Sequence, residues 1–135
     1  MQKQRNSCYT YFSMQGDFDP EEISARLGLS PFQSWKKGDR RIDGTRYDWA
    51  SWQYGKCDEY DIETANQMRR TIADLIDKTD ILNQIRMEYD VTFFLEVVPT
   101  IHVDGVHPCL SPAMDIIDFC HATRTELDID YYIVP

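Results

Sequence analysis

The hydrophobic period of this chain changes several times, and each change marks an element. Cys8 to Gln15 alternates loosely between apolar and polar residues and predicts a first strand. Gly16-Asp17-Phe18-Asp19-Pro20-Glu21-Glu22-Ile23 then reads as a capped helix start. Asp19 serves as N-cap, Pro20 suits the first helical position, Glu22 can bond back to the cap's N–H, and Phe18 and Ile23 take the positions of a hydrophobic staple. Leu27-Gly28-Leu29-Ser30-Pro31 ends that helix, with glycine at the C-cap and proline preventing continuation.

Tyr47 to Tyr54 is aromatic and predicts a strand with Trp49 on one face and Trp52 and Tyr54 on the other. From Asp61 the period lengthens. Ile62, Ala65, Met68, Ile72, Leu75 and Ile76 recur at three and four residues, an amphipathic helix capped by Asp61, with Lys78 near its C-terminus. Thr79-Asp80 marks a break, and Ile81, Leu82 and Ile85 continue in a short second segment. Val91 to Val98 is the clearest strand. Ile101 to Val103 continues past Pro99 as an edge segment, where a missing N–H is tolerated. Asp104-Gly105 is a turn signal, and Ser111-Pro112 opens a last helix with Ile116, Ile117 and Cys120 inward. Leu127, Ile129, Tyr131 and Ile133 alternate with Asp128, Asp130 and Tyr132, a strand with one wet face from Leu127 to Val134.

This order predicts a single α+β domain over residues 1–135, a mainly antiparallel sheet with helices on one face. The finer expectation is a ferredoxin-like plan with an inserted central helix. Phe18, Ile23, Leu27, Ile72, Leu75, Phe93, Leu95, Ile117, Ile129 and Tyr131 sit on the apolar phase of their segments and are the expected core.

Composition narrows the function classes. The net charge is −9, unevenly spread: residues 1–46 hold eight Lys/Arg against six Asp/Glu, residues 47–135 six against seventeen. Such a surface repels a phosphate backbone, so nucleic acid is a poor partner and a basic protein a good one. No apolar run approaches the ~20 residues of a membrane helix. The basic start, Met1 to Ser7, leads into an interrupted apolar segment that reads as a strand rather than a signal peptide. Cys8, Cys57, Cys109 and Cys120 are scattered without a C-x-x-C pair, which argues against a disulfide scaffold and for the cytoplasm.

The combination G-D-F-D-P-E-E-I, L-G-L-S-P, Lys37-Gly38-Asp39, Trp52-Gln53-Tyr54 and Leu127-Asp128-Ile129-Asp130-Tyr131-Tyr132 resembles the small bacterial domain called Domain of Unknown Function 4279, from roughly Tyr9 to Val134. The resemblance implies no activity and no catalytic residues. Small acidic bacterial families of this kind are sometimes encoded near toxins as immunity proteins, so a toxin is the concrete partner it implies.

Several constellations carry possible chemistry. His102-Val103-Asp104-Gly105-Val106-His107-Pro108-Cys109 holds four potential metal ligands, but H-x-D-x-x-H-x-C matches no standard zinc spacing. A thiol at Cys109 could work with His107 or His121, close to a helix start at Ser111. Asp128 with Asp130, and Asp17 with Asp19, are paired carboxylates better read as a solvated face and a capped turn. Residues 33–47 form a loop or loose hairpin, and within it Lys36, Lys37, Arg40, Arg41 and Arg46 could grip an anion or fold back onto the molecule's own negative surface. Trp52 and Tyr54 with Asp48, Asp58, Glu59 and Asp61 form the expected partner-binding set, an aromatic patch rimmed by acid. The expectation is therefore a non-enzymatic binding protein without cofactor, an inhibitor that occludes a basic partner. The alternative is a small metal- or thiol-dependent enzyme using the His102–Cys109 turn.

Overall fold

The computed structural model describes residues 5–135; the first four residues of the basic N-terminal segment lie outside the described residues. In chain order the elements are strand β1 (Ser7–Asp17), helix α1 (Pro20–Leu27), strands β2 (Gln33–Trp35) and β3 (Ala50–Cys57), helix α2 (Thr64–Ile72), a 3-10 turn (Ile76–Lys78), helix α3 (Thr79–Glu88), strand β4 (Asp90–His102), helix α4 (Met114–Thr123), and strands β5 (Glu126–Ile129) and β6 (Tyr132–Val134). The strands form one mixed, mostly antiparallel sheet in the order β2-β3-β1-β4-β5, with β6 also on β4. Only β5 and β6 run parallel to their neighbour. The fold is α+β. A ferredoxin-like plan places a strand between the two parallel strands of a βαβ unit. Here β4 and β5 are direct parallel neighbours, so the register does not show that finer plan.

Helix α1 follows its sequence signals. Asp19 accepts the Glu21 N–H at 3.0 Å, Phe18 and Ile23 are buried together, and Gly28 closes the helix at φ 66° with its N–H on the Ser24 carbonyl. Glu22 does not return to the cap; it accepts the Tyr89 hydroxyl instead. Residues 36–49 form a compact hairpin rather than a loose loop. Tyr47 stacks on Trp35 at 4.1 Å, Arg41 lies over Tyr47, and Arg46 donates to the Gly38 carbonyl.

The second helical region divides the labour differently from the sequence pattern. Ala65, Met68, Ile72 and Leu75 enter the core, but Ile62 and Ile76 stay exposed. Asp61 is not the cap: its side chain accepts the Glu63 N–H, and the helix starts at Thr64. The buried stripe of α2 also carries Thr64, Gln67 and Thr71. These polar residues serve a β-bulge. Between Thr10 and Phe12 the β1–β3 register slips by one residue, with the extra residue on β3, where Gly55 takes φ 75°. Gln67 Nε2 donates to the Cys8 carbonyl at 2.9 Å and the Cys57 carbonyl at 3.3 Å. Thr71 Oγ1 donates to the Gly55 carbonyl, so Thr10 must be the donor in the buried Thr10–Thr71 hydroxyl pair. A Cβ on Gly55 would meet the Thr71 carbonyl at 2.5 Å, which shows how closely α2 sits on the bulge.

The core lies between the sheet and the four helices. Phe12, Met14, Trp52, Phe93, Leu95 and Val97 face Ile23, Met68, Ile72, Leu82, Ile85, Ile116 and Phe119. Seven of the ten expected core residues are buried: Phe18, Ile23, Leu27, Ile72, Leu75, Phe93 and Leu95. Ile117 is 43 % exposed, because α4 starts at Met114 and turns Ile116, Phe119 and Thr123 inward. Tyr131 is 58 % exposed and Ile129 only partly buried. The reason is that the expected single last strand is broken. The register sets Ile129 beside Val97 and Tyr132 beside Thr100, so the break falls opposite Val98 and Pro99. The Val97 carbonyl points at β5, where it accepts the Asp130 N–H, so the missing N–H of Pro99 lies on the same side. Pro99 itself lies inside a strand flanked on both sides, not in an edge segment.

Replacing Gln67 with Leu removes the donors to two carbonyls at the bulge. The expected loss is about 2–3 kcal/mol, read as a lower urea midpoint with unchanged slope. A midpoint equal to wild type would show that the bulge does not depend on this side chain.

Candidate binding face

The four helices cover one face of the sheet. The other face carries Tyr9, Tyr11, Ser13 and Gln15 from β1, Ser51 and Gln53 from β3, Phe94, Glu96 and Val98 from β4, and Glu126 and Asp128 from β5. The bulge shapes this face. One inserted residue flips the phase of a strand, so beyond Gly55 it is Lys56 that projects here. Its ammonium lies 5.0 Å from the Tyr9 ring and 5.9 Å from Phe32. Tyr9 stacks on Tyr11, and Phe32 meets Tyr11 edge-on at 5.7 Å. Trp35 and Tyr47 extend the aromatic surface toward the basic hairpin.

At the centre lies a row of three residues in direct register, Tyr11, Glu96 and Asp128. Glu96 is only 7 % exposed. Burial, then a hydrogen bond to Asp128 and the charges of Asp128 and Asp130, push its carboxyl from 4.5 up to about 8. Burial and the same acids push the Tyr11 phenol up to about 12. Tyr132 donates to Asp130 at 3.2 Å, which holds that carboxylate at the edge of the row. Nearby, Ser13 Oγ is buried without a hydrogen-bond partner among the described residues. The arrangement is a strip of tyrosines beside Glu96, whose carboxyl is pushed up to about 8.

The partner-binding residues expected from sequence do not form one patch. Trp52 is fully buried on the helix side, with its indole N–H on Ser24 Oγ at 3.0 Å, so it offers no surface. Tyr54 stacks on Trp52 on that same side and donates to Asp74 at 2.6 Å; burial first and then this bond push its phenol up to about 12. Asp48 precedes β3, whereas Asp58 and Glu59 follow it, all three exposed. At ~3.3 Å per strand residue these ends lie roughly 30 Å apart. Asp61 is held by the Glu63 N–H and by Asn66, which lower its pKa, and serves the entry to α2.

The backbone of the His102–Cys109 turn supports α2. The Cys109 carbonyl accepts the Thr64 N–H and hydroxyl, and the Cys109 N–H donates to Ile62, so this segment caps α2 from outside. The His102 N–H donates to Asn6 Oδ1, and His107 is exposed. Helix α4 starts only at Met114, and the helix start that Cys109 meets is that of α2, through its backbone. Among the described residues no three His, Cys, Asp or Glu side chains come together as a metal site, and no helix is long and apolar enough to cross a membrane. All four cysteines are free.

Glu96, Tyr9, Tyr11 and Phe94 escaped the sequence reading. A signal did exist: Glu96 is the one charged residue between Val91 and Val98, inside an otherwise apolar strand. An acid at such a position is either paired or functional.

These features define an α+β domain with one sheet face left free of helices. The chain belongs to the family described as Domain of unknown function (DUF4279), whose pattern matches residues 6–134. No curated protein matches the chain, and no solved structure matches it.

The raised Glu96 pKa sets a sign for stability against pH. The folded state holds this proton between about pH 4.5 and 8 while the unfolded state has released it, so folding loses stability as pH rises through that window. Glu96→Gln keeps the shape without the ionisation. Its advantage over wild type is expected to grow from near zero at pH 5 to on the order of 2 kcal/mol at pH 9, less than full linkage because Asp128 and Asp130 are exposed. Thermal melts of both proteins across that range test this; parallel curves would place the Glu96 pKa near its ordinary value.

Proposed function

We propose that the protein is a non-enzymatic cytoplasmic binding protein that recognises a basic protein partner through the acidic, aromatic face of its sheet. In its most concrete form it is an immunity-type inhibitor, which covers the basic active-site cleft of a bacterial toxin. The observation that carries the reading is Glu96, a nearly buried carboxyl beside Asp128 and Tyr11 on the one sheet face that the helices leave free. Tyrosine combines a large rigid contact area with a polar tip and suits recognition surfaces. The carboxylates beside it favour cationic partners and disfavour wrong pairings. The overall charge of −9 adds long-range attraction for the same class of partner. The alternative enzyme would rest on the His102–Cys109 turn, whose backbone is already committed to holding α2.

The test is affinity capture from the native cell, with wild type and an Asp128→Lys/Asp130→Lys double variant as baits, followed by stopped-flow kinetics on the captured protein. The association rate should fall as salt rises and drop about tenfold or more on charge reversal, as expected for steering charges. Tyr11→Ala should act mainly on dissociation, by about 1–2 kcal/mol. A partner whose binding ignores salt and the charge reversal would overturn the reading.

A further inference from the structure

Beside the open face the sheet ends in an edge that no further strand covers among the described residues. Strand β5 is last in the strand order, and β6 continues the same side of β4. The Asp130 N–H is donated inward to Val97, so strand alternation turns the N–H groups of Leu127 and Ile129 outward. The Val134 carbonyl faces inward to Val103, which turns Ile133 outward in the same way.

The two sides of this edge differ in chemistry. On the open-face side stand Glu126, Asp128 and Asp130, all exposed. On the helix side a groove of ≈ 420 Å³ runs between α4 and β5, with Ile116, Ile117, Cys120 and Leu127 as its apolar lining and His121 and Arg124 as its polar lining. Beyond it, Ile101, Val103, Tyr131 and Ile133 line a second, apolar hollow of ≈ 350 Å³. Ile133 is 62 % exposed. Side chains of a strand alternate between its two sides. The edge is therefore complementary to a strand that is basic on one side and apolar on the other.

We propose that the β5–β6 edge docks an extended segment of a protein partner whose residues alternate basic and apolar, added to the sheet as a further strand. The proposal rests on the basic-partner reading above and adds the mode of binding. Backbone bonds to the outward groups of Leu127 and Ile129 hold the segment, its apolar side chains enter the α4 groove, and its cations meet Glu126, Asp128 and Asp130. A second copy of this chain is a poor occupant. Two-fold pairing of the edge with itself would set its own acids against one another, and like charges directly opposite are destabilising.

The test uses short synthetic peptides with the isotopically labelled full chain. One peptide alternates arginine and valine. A second is identical but N-methylated at the residues whose N–H would face β5, so it keeps the charge and loses the strand bonds. The first should slow hydrogen exchange at the Leu127 and Ile129 amides, and N-methylation should weaken binding about tenfold, the loss expected for two net hydrogen bonds. Leu127→Pro, which removes an outward N–H and leaves the β4 ladder intact, should weaken the first peptide equally while the protein keeps its thermal midpoint. Equal binding of both peptides, with shifts confined to Tyr9 and Tyr11, would overturn edge docking and leave the basic-partner reading standing. No binding of either peptide at low salt would overturn both. Edge protection that needs no peptide and grows with protein concentration would identify a second copy as the occupant and overturn the proposal.

Discussion

The grip of α2 on the β1–β3 bulge organises the rest of the molecule. A bulge leaves carbonyls without ladder partners, and buried carbonyls need donors. Gln67 and Thr71 supply them to Cys8, Cys57 and Gly55 from one helix face. That fixes α2 across the centre of the sheet, and the Cys109 backbone then fixes where α2 begins. With α2 placed, α4 packs beside it, and Arg69 pairs with Asp115 at 2.7 Å across that contact. This exposed pair adds little energy and mainly marks the geometry.

The same bulge links packing to the binding face. Without the inserted residue, the position after Gln53 on that face would be Gly55. With it, Lys56 reaches the face and lies over Tyr9 and Phe32. One irregularity in β3 thus sets a cation into the tyrosine strip a strand away from the acid pair. Moving the register by one residue would also send Trp52 out of the core. The strong burial of Trp52 and the position of Lys56 are two consequences of one register.

Much of this was readable from the chain, and the unread parts share a cause. Local signals worked where the chemistry is local: the Asp19 cap, the Gly28 stop and the opposite facing of Trp49 and Trp52; the break expected at Thr79 falls earlier, between Ile72 and Thr79, where α3 already begins. Periodicity gives the phase of an element but not the depth of what covers it. Ile116 and Ile117 are equally apolar, and only the place where α4 starts decides between them. The alternation from Leu127 to Ile133 was real, but the effect of Pro99 on it needs the β4 register, which no local pattern carries. Gln67 and Thr71 carry no signal in the sequence, because a buried polar group declares itself only when its partner is known. The acids from Asp48 to Asp61 looked like one patch because nearness in sequence stands in poorly for nearness along an extended strand.

Glu96 is the residue whose presence the fold explains least. Its neighbours make ionisation difficult, its charge joins no cation among the described ion pairs, and glutamine would fill the same space. A carboxyl in that setting lowers stability as pH rises toward neutrality. Positions that reduce stability without structural return are where function is to be sought. The group that would relieve the cost is a cation brought from outside, onto a face whose tyrosines and neighbouring acids suit it. On the reading proposed above, the energetic weak point of the sheet and its recognition element are the same side chain, which ties the packing of this small domain to its partner.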